Sequence, residues 1–382
     1  MSFVEIYNTL RLEELKAFIY SRSENDVADV LGKEKRLSEW DFMTLLSPAA
    51  GKFIEDLAAC SAAITRKRFG NVIQLYIPLY LSNECTNICT YCGFSVTNKI
   101  PRIVLTREQI KKEAEAVKAY GFEHLLLVTG ESSRRAGVEY LKMALEVVNP
   151  YFSNLSIEVQ PLKLNEYKEL REYSVHAVLV YQETYHCESY RRYHPRGKKS
   201  NFEYRLETPD RIGAAGMHKI GLGVLLGLED WRVDAAVMAV HLRYLEQRYW
   251  RTKYSVSFPR LRPAEGVDLG TLSVTERDLL QLICALRIFD PDLELSLSTR
   301  ESAYFRDHVI PLGITTVSAG SRTDPGGYSV LKKELKQFEI DDSRSPLEVA
   351  EAIKRIGLEP VWKDWDRAFG GERCGGAAAK AS

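Results

Sequence analysis

The sequence lacks a dominant charge: 52 lysines and arginines balance 52 aspartates and glutamates over 382 residues. With no global field to draw a polyanion, nucleic acid is not an expected partner. Apolar runs long enough to cross a bilayer, which takes about 20 residues, are also missing, so no membrane association is expected. The first residues (Met1, Ser2, Phe3, Val4, Glu5) form neither a basic nor an apolar leader, which predicts a cytoplasmic location. Cysteine is scarce and odd in number, at seven, yet three of the seven fall within eight residues. A disulfide framework is not arranged that way. The pattern is one of reduced thiols with a local purpose.

What is present changes texture along the chain. Residues 1 to about 70 read as helical, with apolar residues at three- and four-residue spacing over 11–20, 38–46 and 52–68. From about 71 to 330, short β-rich runs alternate with helical ones. The strand candidates are 72–81, 124–130, 155–161, 177–184, 220–229, 254–259, 293–300 and 314–318. Between the first two, Thr106 and Gln109 form a capping box and Gly121 ends the helix they start. Eight strands separated by helices predict a (β/α)8 barrel of the TIM type, with a doubly wound open sheet as the alternative. A C-terminal extension over 331–368 holds one amphipathic helix at 346–356. The composition of 369–382 predicts disorder.

Several of these strands are too polar for their class. Glu294, Ser296, Ser298 and Arg300 alternate with apolar residues, as do Ser156, Glu158 and Gln160, and Ser255 and Ser257. Parallel barrel strands normally read as almost continuously apolar, and an unpaired buried polar group costs roughly 1–3 kcal/mol. Either the lumen holds a network of mutually satisfied side chains, or it holds a polar ligand.

Cys85, Cys89 and Cys92 stand at a three-then-two spacing, with Tyr91 before the last and Gly93 after it. Structural zinc wants four ligands, and here there is no second pair; the nearest histidine, His124, lies beyond a whole predicted helix. Ordinary ferredoxin clusters take four cysteines. Three thiolates hold three irons of a 4Fe–4S cubane and leave the fourth open to a small molecule such as S-adenosylmethionine (SAM). A non-catalytic zinc protein is the alternative.

In this setting the cysteine motif resembles that of the radical SAM superfamily. Thr129, Gly130 and Glu131 are similar to its Gly-Gly-Glu element for the SAM amino group, with threonine replacing the first glycine. Gly223, Leu225, Gly227 and Glu229 are similar to its adenine-side GxIxGxxE element. Glu183 and Arg205 match positions that hold the SAM ribose or amino group and its carboxylate, and Tyr91 matches the aromatic before the last cysteine. Further stretches at 77–83, 121–131, 180–186, 254–263, 297–302, 325–328 and 361–366 resemble the aromatic-amino-acid lyase branch, over about residues 40–368. The nearest likeness is to its tyrosine-cleaving members in thiamine thiazole synthesis.

The resemblance implies a carbon–carbon lyase that uses the cluster and SAM to cut L-tyrosine into 2-iminoacetate and p-cresol. It also implies a flavodoxin- or ferredoxin-type electron donor and association with thiazole synthase. Arg300 is the candidate for the tyrosine carboxylate, since a guanidinium forks onto a carboxylate; an ion pair with Glu301 or Glu294 is its alternative. Ser318 is a candidate helper, and His186 a candidate for managing the phenol proton. Arg260 and Arg262 suit SAM, substrate or surface acids equally. A tryptophan lyase would share barrel and cluster. The hydrogenase-maturation tyrosine lyase carries a second, CxxC-containing cluster motif near its C-terminus, whereas beyond residue 330 this sequence offers only Cys374.

Overall fold

A computed structural model describes residues 2–262, 274–329 and 337–363. Cys374, Trp365, Asp366, Pro263 and the tail from 369 lie outside the described residues. Eight parallel strands close into a ring: β1 (Val72–Ser82), β2 (His124–Thr129), β3 (Asn154–Glu158), β4 (Val175–Leu179), β5 (Lys219–Gly223), β6 (Lys253–Ser257), β7 (Glu294–Leu297) and β8 (Thr316–Ser318). β1 pairs with β8 on one side and β2 on the other, which completes the expected barrel. No helix among the described residues is long and apolar enough to cross a membrane.

Several strands are shorter than their sequence patterns at the C-terminal end. The runs expected over 177–184, 220–229 and 293–300 leave the ladder after Leu179, Gly223 and Leu297. Their polar ends, including Glu183, Glu229 and Arg300, are therefore loop residues at the barrel mouth, where a (β/α)8 fold carries its chemistry.

A ninth strand, β9 (Glu359–Val361), escapes sequence reasoning because it is three residues long. Its place follows from register. β2 meets β1 only from Ile77 onward, so the start of β1 would expose unpaired backbone on that edge. β9 covers it, setting Val72 opposite Glu359 and Gln74 opposite Val361, and Trp362 then packs edge-on against Phe122 at 5.0 Å.

The N-terminal segment forms α1 (Phe3–Tyr7), α2 (Leu12–Ser21), α3 (Glu24–Leu31), α4 (Glu39–Leu45) and α5 (Ile54–Phe69). α1 and α3 are too short to show a clear period; serine capping boxes at Ser2 and Ser23 start them. The barrel helices include α6 (Arg107–Ala119), begun by the Thr106–Gln109 capping box as expected. They continue with α7 (Val138–Val148), α8 (Leu164–Glu172), α9 (Cys187–Tyr193), α10 (Phe202–Leu206), α11 (Thr208–Ala214), α12 (Trp231–Arg248), α13 (Glu276–Phe289) and α14 (Ala303–Gly313); α15 (Pro346–Arg355) follows the barrel. α2 and α4 pack on α12, and α5 packs on α13 and α14. That second layer is why α12 and α13 are buried over most of their surface, charged residues such as Asp234 and Arg287 included. Phe3, fully buried, stacks on His241 at 3.6 Å; truncating such an aromatic costs about 3–5 kcal/mol.

Candidate active site

The loop after β1 carries the three cysteines, and one arginine organises it. Arg102 donates to the carbonyls of Asn83 (2.9 Å), Phe94 (2.8 Å), Ser95 (2.6 Å) and Asn98 (3.1 Å), tying both ends of the loop together. The backbone N–H of Phe94 and the amide of Gln337 both point at the Cys92 sulfur. Burial raises all three thiol pKa values, and mutual charge adds to it at Cys85 and Cys89. Among the described residues no three His, Cys, Asp or Glu side chains converge on a single metal ion. Three cysteines on one loop are one short of the four ligands of a structural zinc site and match a cluster that takes one thiolate per iron.

Beside the cysteines lies a tight network of opposite charges. Arg205 donates from Nη1 to Glu131 (2.9 Å), from Nη2 to Glu183 (3.4 Å) and from Nε to the Tyr181 carbonyl (2.6 Å). Lys199 donates to Glu183 at 2.7 Å, and Asn87 to Glu131 at 2.8 Å. Burial would raise the Glu183 carboxyl, but the Lys199 and Arg205 charges overcome it and hold the group at about 2. Glu183 sits at φ +73°, a left-handed backbone rare outside glycine, which costs of order 1–3 kcal/mol and tends to occur at functional sites. Gly130 is needed for a different reason: a Cβ there would stand 2.4 Å from the Glu84 carbonyl oxygen, so only glycine lets β2 reach the cysteine loop. Next to it the Thr129 hydroxyl is buried with no hydrogen-bond partner among the described residues, and Thr129 lines the cavity that holds the cysteines.

Tyr91 is fixed from behind. Burial, reinforced by Lys199, pulls His194 down to about 3, so its ring is neutral. Its Nδ1 lies 2.7 Å from the Tyr190 carbonyl and must carry the proton, leaving Nε2 to accept from the Tyr91 hydroxyl at 2.7 Å.

A second cavity, of about 140 Å³, sinks from this rim into the lumen. That is room for several waters, hence for a small polar ligand rather than a packing defect. Its walls are Tyr76, Tyr80, Glu158, Tyr181, Ser298 and Arg300, and it shares Cys92, Glu158, Glu183 and Lys199 with the cysteine cavity. The later members of the alternation read from the sequence, Glu158, Ser257, Ser298 and Arg300, thus border open space. Ser318 also lines this cavity, its hydroxyl accepting from the Thr299 N–H at 3.1 Å. Arg300 pairs with neither proposed acid: Glu301 holds Arg260 and Arg262, and Glu294 holds Lys219. Its guanidinium instead lies 3.3 Å above the Phe338 ring. Burial and the nearby Glu183 charge push Glu158 up to about 7, against the pull of Arg300 and Lys199.

His186 and Glu229 stand apart from these cavities. His186 caps α9, accepting from the Ser189 N–H at 3.2 Å, and lines neither space. Glu229 accepts from the Ser189 hydroxyl and faces Arg192 at 3.6 Å. Within the same element Leu225 lines the deep cavity, Gly223 admits Tyr181 and the Ser257 carbonyl at distances no Cβ would allow, and Gly227 turns at φ +110°. Arg102, Lys199 and Gln337 escaped sequence reasoning. Lys199 belongs to no motif of the sequence, and Gln337 reaches the site only through the fold.

Residues 79–239 match the Radical SAM superfamily, and residues 257–359 match the Biotin and Thiamin Synthesis associated domain. The 2-iminoacetate synthase of Escherichia coli K12 is 50% identical over 97% of this chain and 98% of its own length. That of Salmonella typhimurium LT2 is 49% identical over the same shares. Among solved structures, the maturase HydG of the FeFe-hydrogenase superposes with a TM-score of 0.88 at 29% identity, over 95% of this chain and 80% of that one. HydG from Carboxydothermus hydrogenoformans superposes with a TM-score of 0.83 at 29% identity, over 97% of this chain and 85% of that one.

Proposed function

The chain belongs to the radical SAM superfamily and, within it, to the 2-iminoacetate synthases, and from that premise we propose that it cleaves the Cα–Cβ bond of L-tyrosine to 2-iminoacetate and p-cresol. The observation that carries this reading is the pair of adjoining cavities. One is built around three thiols and a carboxylate–guanidinium network, the other around polar strand ends and Arg300.

Cys85, Cys89 and Cys92 would hold a 4Fe–4S cluster. Thr129, with its partnerless hydroxyl, Gly130, Glu131, Glu183 and Arg205 would hold the amino-acid end of SAM, and Leu225 would face its adenine. When bound, cluster and SAM together supply a carbon radical able to take a hydrogen atom from the substrate. The chain's own contribution is placement. Arg300 takes the tyrosine carboxylate, and Ser318 lies on the same wall. Tyr76, Tyr80 and Tyr181 form an apolar sleeve with hydroxyl tips for the phenol ring. Gln337 and Phe338 complete the lining, Gln337 accepting from the Tyr80 hydroxyl at 2.8 Å. His186, engaged as a helix cap, is a poor candidate for the phenol proton.

This reading brings with it a low-potential flavodoxin- or ferredoxin-type donor, a reducing cytoplasmic setting, and delivery of the hydrolytically unstable imine to thiazole synthase. The test is anaerobic reconstitution with iron and sulfide, then incubation with SAM, dithionite and L-tyrosine. The expected result is p-cresol from the unaltered protein and none from Cys92→Ala, whose visible iron–sulfur absorption should also fall. Another product, or none, from the unaltered protein would refute the lyase.

A further inference from the structure

Apart from Glu158, the charged groups at the cysteine rim are already engaged: Glu131 and Glu183 hold Arg205, and Lys199 holds Glu183. Of the other charged groups lining the deep cavity, Arg262 is tied to Glu301. That leaves one acid and one base. Glu158, at the C-terminal end of β3, and Arg300, just past β7, have no ion-pair partner among the described residues. They are close enough for each to perturb the other's ionisation, yet they do not join. Both are partly buried, where a lone charge is costly. One ligand would compensate both: a molecule that carries a carboxylate and an ammonium on the same small frame.

The position of Glu158 adds direction. It borders both cavities, whereas Arg300 borders only the deep one. A ligand whose carboxylate lies on Arg300 and whose ammonium lies on Glu158 therefore presents its nitrogen at the shared wall, beside the SAM-side space, and its side chain toward Tyr76. Glu183 borders both cavities too, but Lys199 and Arg205 already occupy it.

We propose that Glu158 is the ammonium anchor of the substrate site, a residue that selects a free α-amino acid and sets its nitrogen at the boundary between the two cavities. The assignment rests on the lyase reading. It predicts that the site discriminates against acids lacking the amine, and against amines lacking the acid, through two different residues.

Equilibrium binding to the anaerobically reconstituted, SAM-loaded protein tests it, with L-tyrosine, 3-(4-hydroxyphenyl)propanoate and tyramine as probes. In the unaltered protein tyrosine should bind most tightly. Glu158→Gln should weaken tyrosine roughly ten- to a hundredfold, as for loss of a charge-assisted hydrogen bond, and leave 3-(4-hydroxyphenyl)propanoate unchanged or tighter. Glu158→Asp, which keeps the charge, should retain part of the preference for the amine. If Glu158→Gln keeps the full preference for tyrosine, or if both variants lose the propanoate along with tyrosine, the assignment is overturned. Unaltered protein that binds none of the three probes overturns the lyase reading as well, and so separates the two failures.

Discussion

The lower and upper halves of the barrel lumen are built from the same alternating strands and end in opposite electrostatic states. In the lower half, polar residues that the alternation sends inward pair with one another. Lys219 meets Glu294 at 2.7 Å, and the neutral His124 ring meets Ser156 at 3.0 Å. In the upper half, two to six residues further along the same runs, Glu158 and Arg300 line one open cavity with no ion pair between them. Polar alternation in a parallel barrel thus carries two messages at once. Near the strand starts it builds ion pairs and hydrogen bonds, and near the strand ends it lines a cavity.

Breaking a lower pair gives the largest expected effect on stability. Lys219→Met leaves Glu294 charged and without its partner, and should cost about 3–5 kcal/mol, seen as a lowered denaturation midpoint. Adding Glu294→Leu should recover most of that loss, because a matched apolar pair avoids the desolvation that the ion pair only offsets. p-Cresol formed per folded molecule should be unchanged in the double variant. A double variant as unstable as the single one would show that the lower network does more than satisfy itself.

This contrast was half legible in the sequence. The eight strands, the polar alternation and the cysteine spacing are local patterns, and local patterns survive in one dimension. Which of the polar residues would pair depends on register between strands far apart in the chain. Lys219 and Glu294 are 75 residues apart, and nothing near either of them announces the other. The same holds for Gln337, which reaches Cys92 across 245 residues. His186 shows the converse: its place just after a strand invites a catalytic reading, and its capping bond to Ser189, a local geometry, offers a structural one.

The lone carboxylate in the upper half should leave a signature in pH. Burial and the Glu183 charge raise Glu158 from its ordinary 4.5 to about 7 in the folded protein. Below about 4.5 the carboxyl is protonated folded or unfolded, and it contributes no difference. Between 4.5 and 7 the folded protein keeps a proton that the unfolded chain releases, so unaltered protein loses stability as pH rises, by up to roughly 3 kcal/mol. Glu158→Gln removes that loss. Measured without SAM or tyrosine, the variant should match the unaltered protein near pH 4.5 and exceed it near pH 8. A stability difference that stays flat across this window would place Glu158 in a paired state, as in the lower half.

Arg300 should give the smallest change in stability and is the sharpest test of the comparison. Burial pulls its guanidinium below the ordinary value, the sign of a charge held at a cost. Its contacts are the Phe338 ring and a long 3.4 Å bond to the Arg260 carbonyl. Arg300→Met keeps the bulk against Phe338 and removes the charge, so the unfolding free energy should stay within about 1 kcal/mol of the unaltered value. Tyrosine affinity should fall sharply all the same, while tyramine, which has no carboxylate to lose, should bind about as before. Lys219→Met in the lower half should do the reverse, losing stability and keeping the ligand. If Arg300→Met destabilised the fold by the several kcal/mol expected of a broken pair, the upper charge would be structural, and the two halves of the lumen would no longer differ in kind.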